Sequence, residues 1–302
     1  MRGVLRVFSP SAPEAPLFLC SATPSDLFSP YPFSLAKMNE QSYSYEALKD
    51  QKKFYDSRFQ AGYMQDFSGL FESCRFYAMQ DILKQIKSSG FNPATILDYG
   101  CGEGRYIKLL KNFFSTSALH GCDISDEALT IAKNIYSSAQ YTPMTDETVN
   151  LPDSSFDLIV SIEVLEHVGD VAKSIKEIGR LLKPQGMTIL STPCANKFSF
   201  EWWQNRLTGG LQPSFDGYGR FKTDEPGHLR RLNDRHLKSL CSDVGIDIYK
   251  IYHRAHLFET LAPKGRLFKR IPQACISFGM LDWYLFKNLP NGSTMIALGK
   301  KM

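Results

Sequence analysis

Apolar positions recur along this chain at two alternating periods. Phe71, Cys74, Ala78, Ile82 and Ile86 follow three- and four-residue spacing. They predict an apolar stripe within a helical stretch from about Tyr43 to Ser89. Beyond Gly90 and the Asn92-Pro93 turn, Ala94 to Tyr99 reads as a short strand. Helices are then expected over Glu103 to Phe114, Ser125 to Tyr136 and Val171 to Leu182. Strands are expected over Ala118 to Cys122, Phe156 to Ile162 and Met187 to Ser191. Ser125 has the side chain of an N-cap, and Asp126 and Glu127 suit the first turn behind it. Such alternation builds βαβ units, hence a parallel sheet covered by helices on both faces.

The alternation breaks after Thr192-Pro193. An aromatic-rich insert over about 194–232 carries Trp202, Trp203, Phe215, Tyr218 and the pair Gly209-Gly210. A helix capped by Asn233 runs to Gly245, the strand Ile246 to Tyr252 follows, and a second irregular insert covers about 256–291. Ser293 to Leu298 is the last strand. The first 37 residues differ again. They hold six of the sixteen prolines and many serines, without either period. Prolines interrupt Leu17-Phe18-Leu19, which rules out the unbroken apolar centre of a secretory signal. The expected organisation is a disordered extension over 1–37, ending before Met38, and one domain over 38–302.

Composition narrows the classes. With 43% hydrophobic and 22% charged residues, the chain can bury a full core. Thirty-five basic residues against thirty-one acidic leave a formal charge of +4. A nucleic-acid partner would call for a concentrated basic stripe. The cluster from Lys264 to Arg270 is too local for that and reads as a solvated face. The seven cysteines are scattered and never spaced C-x-x-C, which argues against a disulfide framework or a zinc knuckle. Reduced thiols in the cytoplasm are the simplest account. No run approaches the roughly 18 apolar residues of a membrane-spanning helix.

The chemistry starts at Gly100-Cys101-Gly102-Glu103-Gly104, between a strand and a helix. Glycines there let a ligand approach the backbone, and ligands in such sheets sit at the carboxyl ends of strands. Asp123 ends the next strand, where a carboxylate can accept hydrogen bonds from both ribose hydroxyls. Adenosine is common to nicotinamide dinucleotides and S-adenosylmethionine, so the loop must choose between them. A dinucleotide loop reads G-x-G-x-x-G. Here Arg105 takes the third glycine's place, and Asp98 precedes the loop. An acid there repels a pyrophosphate and favours a sulfonium cofactor. A dinucleotide-dependent oxidoreductase is the rival that these two residues disfavour.

Ile96 to Gly104 resembles motif I of the class I S-adenosylmethionine-dependent methyltransferases, and Gly121-Cys-Asp-Ile-Ser125 resembles their second motif. Leu151 to Ile159, Ser161 to Val168 and Leu181 to Met187 are similar to the segments that follow. Gly227-His228-Leu229-Arg230 through Gly245 is similar to the small-molecule subfamily that includes the quinone-biosynthesis O-methyltransferases. The resemblance implies a Rossmann-like α/β fold: a seven-stranded, mostly parallel sheet with helices on both faces, an antiparallel last strand and lid insertions. It implies that Gly100 and Gly102, with Asp98 behind them, hold the methionine moiety. Asp123 would bind the ribose, Ile124 would pack on the adenine and Ile162 would close against the cofactor. Asp146 would meet the adenine amino group, with Thr145 or Glu147 as alternatives because the spacing is one residue off. Arg75 would reach the methionine carboxylate or else be a surface arginine.

Methyl transfer to oxygen needs alignment and a base. His167, just past the fourth strand, is the candidate, because imidazole titrates near neutrality. The alternative is a histidine that orders its loop. Glu163, Glu166 and His167 share the spacing of one helix face and could ligate a divalent ion, as is thought for the similar quinone enzymes. Relatives with the same letters lack a metal, so none is assigned. Trp202, Trp203, Phe215 and Tyr218 could stack on a sugar or an aromatic ring, though a lid core suits most of them. The second insert mixes basic and apolar residues and could rest on a membrane interface. The expected acceptor is an oxygen of a small-molecule or glycan/lipid-linked compound. Carbon methylation of a lipid and a non-catalytic binding module are the alternatives.

Overall fold

The computed structural model describes residues 50–63, 69–225, 227–262 and 270–302. The expected extension over 1–37 lies outside the described residues. Chain order runs α1 (Gln51–Gln60), α2 (Leu70–Ser88), β1 (Thr95–Tyr99), α3 (Arg105–Phe113), β2 (Ala118–Asp123), α4 (Asp126–Ile135), β3 (Gln140–Thr145) and β4 (Thr148–Val149). It continues with β5 (Phe156–Ile162), α5 (Val171–Leu181), β6 (Leu182–Pro193), α6 (Phe200–Thr208), β7 (Leu211–Gln212) and β8 (Arg220–Phe221). The last elements are α7 (Asp234–Ser242), β9 (Ile246–Arg254), α8 (Phe258–Leu261), α9 (Pro272–Phe286) and β10 (Thr294–Lys301).

The main sheet has the order β4-β3-β2-β1-β5-β6-β10-β9. The pairs from β3 through β6 are parallel, while β10 is antiparallel to both β6 and β9. The fold is thus a Rossmann-like, mostly parallel sheet whose last strand is antiparallel. Seven long strands match the expected number, and the two-residue β4 folds back on β3 to make an eighth. The period pattern had not located β3, because Gln140-Tyr-Thr-Pro-Met-Thr145 buries only Met144 and carries a proline. A strand paired to one neighbour over most of its length has little apolar signal to give.

Central strands are buried on both faces, so β1 and β5 read as near-continuous apolar runs. On one face, α2 sets Cys74, Ala78, Met79, Ile82 and Ile86 against α3 and the sheet. On the other, Ile175 and Ile178 of α5 pack with Leu237 and Cys241 of α7. Ser125 caps α4 as expected by accepting from the Ala128 N–H at 3.2 Å. The order reverses at β1, with β2 on one side and β5 on the other. The crevice beyond their carboxyl ends is where an open sheet receives a ligand.

One local expectation gains detail and another is corrected. The helical stretch from Tyr43 to Ser89 holds two described helices, α1 and α2. The second insert is not irregular, since α9 fills 272–286. Its apolar residues surround the helix, so no stripe stood out. Cys275, Gly279, Met280 and Trp283 are its buried side, and buried Asp282 accepts the N–H groups of Leu257, Phe258 and Glu259 at the start of α8. Among the described residues no helix is long and apolar enough to cross a membrane.

A candidate active site at the carboxyl edge of the sheet

Beyond Tyr99 the chain turns sharply. Gly100 has φ +77°, and a Cβ there would collide with Val164. Gly104 also has φ +77° and is the residue that opens α3. Only glycine enters that left-handed region cheaply, which explains why the third glycine comes one place earlier than in a dinucleotide loop. The N–H groups of Gly100 and Cys101 donate to the Cys122 carbonyl at 2.8 and 2.9 Å. Asp123 Oδ2 accepts from the Gly102 N–H at 2.8 Å, and its Oδ1 accepts from the Ser125 N–H at 2.9 Å. Each carboxylate oxygen keeps a lone pair for a ligand.

Asp98 is buried beneath this loop, and its Oδ2 has no hydrogen-bond partner among the described residues. Burial, and then the neighbouring Asp123, push its carboxyl up to about 8. A buried acid in this state lacks a partner that a cation or a donor group would supply. The loop therefore fits the ammonium and sulfonium end of S-adenosylmethionine.

The cavity in front of the loop has a volume of about 340 Å³, within the range of ligand sites. Of the residues expected on the cofactor side, Gly100, Gly102, Asp123, Ile124 and Ile162 line it. Arg75, Asp146 and His167 line it too. Asp98 does not; it supports the loop from behind. Asp146 stands at an exposed turn with φ +52° and faces Lys173 at 3.5 Å. Of its two alternatives, Glu147 is turned away, accepting from the Asp170 N–H at 3.0 Å. Arg75 is buried rather than at the surface and pairs with Glu163 at 3.0 Å.

Helix α1 roofs both halves of the cavity, with Tyr55 and Phe59 facing in. Its ties are polar. Lys52 Nζ donates to the Ile124 carbonyl at 3.3 Å, the Ser125 hydroxyl donates to Asp56 at 2.6 Å, and Gln51 donates to the His167 carbonyl at 2.8 Å.

The segment beyond β5 overturns the expectation that Glu163, Glu166 and His167 share a helix face. It is a turn, entered through Glu163 at φ +56° and closed by the His167 N–H on the Val164 carbonyl at 2.9 Å. Glu163 turns away from the other two, while Glu166 Oε1 and His167 Nε2 stay close. Glu163 accepts from the Ser191 hydroxyl at 2.6 Å and faces Arg75; burial opposes its charge, but Arg75, the Ser191 hydrogen bond and Arg254 together lower its pKa. Glu166 is fully buried and accepts from the Thr192 hydroxyl at 2.9 Å, while its Oε1 has no hydrogen-bond partner among the described residues and lies 3.9 Å from His167 Nε2. Burial and the Glu163 charge push its carboxyl well up. His167 Nδ1 lies 3.0 Å from the Gly227 carbonyl, which can only accept. Nδ1 therefore carries the proton and Nε2 the lone pair. Burial lowers the His167 pKa, keeping the ring neutral near pH 7.

The sequence did not point to His228, Glu225 or Arg58. The His228 ring meets His167 edge-on with centroids 4.8 Å apart, and its Nδ1 has no hydrogen-bond partner among the described residues. Burial lowers its pKa to about 3. Glu225 lies 3.8 Å from His228 Nε2 and forms an ion pair with Arg58. Burial opposes its charge, but Arg58 holds the carboxyl at about 2. The only signals were the Gly227-His228 stretch and the helical pattern before Ser89. Ligand atoms of Glu166, His167 and His228 lie within 4.8 Å of one another and could hold a divalent ion. Glu163 is outside that set.

Two buried arginines fasten the first insert. Arg230 pairs with Asp216 and donates to the Leu165 and Gly169 carbonyls at 3.0 Å each. Arg231 pairs with Glu201 at 3.0 Å and with Asp224 at 2.5 Å. Glu201 and Arg231 reach the cavity, whereas Trp202, Trp203, Phe215 and Tyr218 are not among its lining residues.

A family model described as a methyltransferase domain matches residues 71–251. A protein of Mycolicibacterium smegmatis named as a probable S-adenosylmethionine-dependent methyltransferase is 26% identical over 200 residues, 65% of this chain and 70% of that one. A ubiquinone biosynthesis O-methyltransferase of Bartonella tribocorum is 33% identical over 168 residues. That alignment covers 52% of this chain and 64% of the relative, less than two thirds of its length. Among solved structures, a SAM-dependent methyltransferase of Thermotoga maritima is 18% identical with a TM-score of 0.52, covering 81% of this chain and 97% of that one. That likeness speaks to the fold.

Proposed function

The chain belongs to the methyltransferase-domain family as an S-adenosylmethionine-dependent enzyme, and from that premise we propose that it methylates an oxygen of a small-molecule or glycan/lipid-linked acceptor. The observation that carries the proposal is the hydrogen bond between His167 Nδ1 and the Gly227 carbonyl, which leaves a basic Nε2 on the cavity wall. The partial relationship to a ubiquinone-biosynthesis O-methyltransferase supports oxygen as the acceptor atom.

Asp123 receives the ribose hydroxyls, Ile124 and Ile162 pack on the nucleoside, and Asp146 meets the adenine amino group at the rim. Gly100 and Gly102 admit the methionine moiety, with Asp98 supplying negative charge from below. Arg75, already paired with Glu163, directs one N–H edge to the carboxylate. When bound, the cofactor supplies an electrophilic methyl on sulfur and leaves as a neutral thioether. His167 Nε2 takes the acceptor's proton as the carbon–oxygen bond forms and the carbon–sulfur bond breaks. Holding the acceptor in line accounts for about 7–11 kcal/mol of the barrier. His167 must be neutral to act, so the rate falls only as pH drops through its lowered pKa.

The full-length protein, given methyl-labelled cofactor and a panel of phenols, glycosides and lipids, should place label on oxygen. His167→Ala should lower kcat by about 10²–10⁴ while cofactor affinity holds. Label on carbon, or an undiminished kcat in that variant, would reject the proposal.

A further inference from the structure

Helix α6 carries an exposed apolar face. Its apolar residues Phe200, Trp203 and Leu207 follow i, i+3, i+7 spacing, which places them on one face. That face is exposed, with Leu207 80% and Trp203 46% accessible. Its inward side is polar, formed by Asn205 and Glu201, while Gln204, Arg206 and Thr208 stay exposed. Asn205 is fully buried and donates to the Glu201 carbonyl at 3.0 Å and the Thr223 hydroxyl at 3.1 Å. Phe198 and Phe215 extend the exposed apolar surface of the same insert at 62% and 59%. Apolar patches of this kind mark interaction sites rather than core.

Charge tells what the patch fits. The acids of residues 194–232 are Glu201, Asp216, Asp224 and Glu225. Each is engaged in an ion pair, with Arg231, Arg230, Arg231 and Arg58 respectively. Lys197, Arg206 and Lys222 are exposed and have no ion pair among the described residues. The outer surface of the insert thus presents tryptophan, phenylalanine and leucine with these cations, while each of its acids is neutralised by an arginine. Protein interfaces deplete charge at their core. Lipid headgroups favour aromatic and aliphatic side chains beside lysine and arginine.

We propose that the 194–232 insert docks on an anionic phospholipid bilayer through α6. Because Glu201 of the same helix lines the cavity, docking sets the cavity's edge beside the membrane, where a lipid-linked acceptor could enter. The inference is separate from the choice of oxygen, since vesicle binding requires no turnover.

The test is flotation of the full-length protein with phosphatidylcholine vesicles, alone or doped with phosphatidylglycerol. The wild type should float with the anionic vesicles, less so in high salt, and remain below with neutral ones. Trp203→Glu/Leu207→Glu, and separately Lys197→Glu/Arg206→Glu/Lys222→Glu, should each reduce the bound fraction at least about tenfold. Both should retain wild-type affinity for S-adenosylhomocysteine, which shows that they fold. Tyr284→Glu/Leu285→Glu on α9 should float like the wild type. The proposal is overturned if the wild type ignores anionic vesicles, if the α6 variants float unchanged, or if only the α9 variant loses binding. It is equally overturned if the α6 variants merely dissolve a dimer of a protein that never floats.

Discussion

The two halves of the cavity are held by different means. At the ends of β1 and β2, backbone geometry does the work. Gly100 and Gly104 take left-handed turns, backbone N–H groups seat Asp123, and the strands beneath are buried. At the ends of β5 and β6, long side chains do it. Arg75 reaches Glu163, Arg230 reaches Asp216, Arg231 reaches Glu201 and Asp224, and Arg58 reaches Glu225. A binding half shaped by backbone needs few residue types and can be written in one contiguous motif. A half shaped by buried ion pairs depends on partners brought from distant positions, so its recognition can change without disturbing the first.

The largest effect should come from breaking the second half. Arg231→Met leaves Glu201 and the buried Asp224 without their cation. Breaking a buried pair in this way costs about 3–5 kcal/mol. Urea unfolding should show a loss of that size, and the folded fraction should still bind S-adenosylhomocysteine. A loss below 1 kcal/mol, on the order of an exposed pair, would remove the distinction between the halves.

Next is the first half. Asp123→Ala deletes hydrogen bonds to the ribose, each worth about 1.5–3 kcal/mol for a charged acceptor. Titration calorimetry should find cofactor affinity weaker by at least about a hundredfold, and urea unfolding should show a loss of about 1–3 kcal/mol from the Gly102 and Ser125 N–H groups left unpaired. Unchanged affinity would refute the role of Asp123.

The smallest effect sharpens the comparison electrostatically. Burial and Asp123 hold Asp98 at about 8 in the unliganded site. Below that pH it is protonated, and a cationic ligand favours the ionised form. Binding should therefore release a proton, and affinity should rise about tenfold per pH unit towards pH 8 and then level off. Calorimetry in buffers of different ionisation enthalpy measures the proton directly. Asp98→Asn should flatten the profile, and a slope that survives in it would assign the proton elsewhere.

Much of the first half was legible because its causes are local. Strand periodicity, the Gly100-x-Gly102-x-Gly104 spacing and the acid at Asp123 lie within one βαβ unit, and the structure brings them to one crevice. The acceptor half was misread where position alone was used. Glu163, Glu166 and His167 suggested a helix face, but they lie in a turn. There Ser191 holds Glu163 apart from Glu166 and His167, which Thr192 and the Gly227 carbonyl fix near each other. The aromatics of the insert looked like a stacking platform or a lid core; Tyr218 packs against the core, yet Trp203 and Phe215 face outward. Hydrophobicity gives a period but no direction, and here inward pairing of the acids decided which side of α6 was buried.

From its residues alone this protein was bound to form an alternating α/β sheet with a glycine-lined, acid-backed pocket, since glycine's backbone freedom and the two side-chain periods act over a few neighbours. Folding in three dimensions chose the rest: the tautomer of His167, the approach of His228 and Glu225, and the roof made by α1. Those depend on contacts such as Arg58 with Glu225 and Gly227 with His167, where residues far apart in the chain become neighbours only once the core has formed.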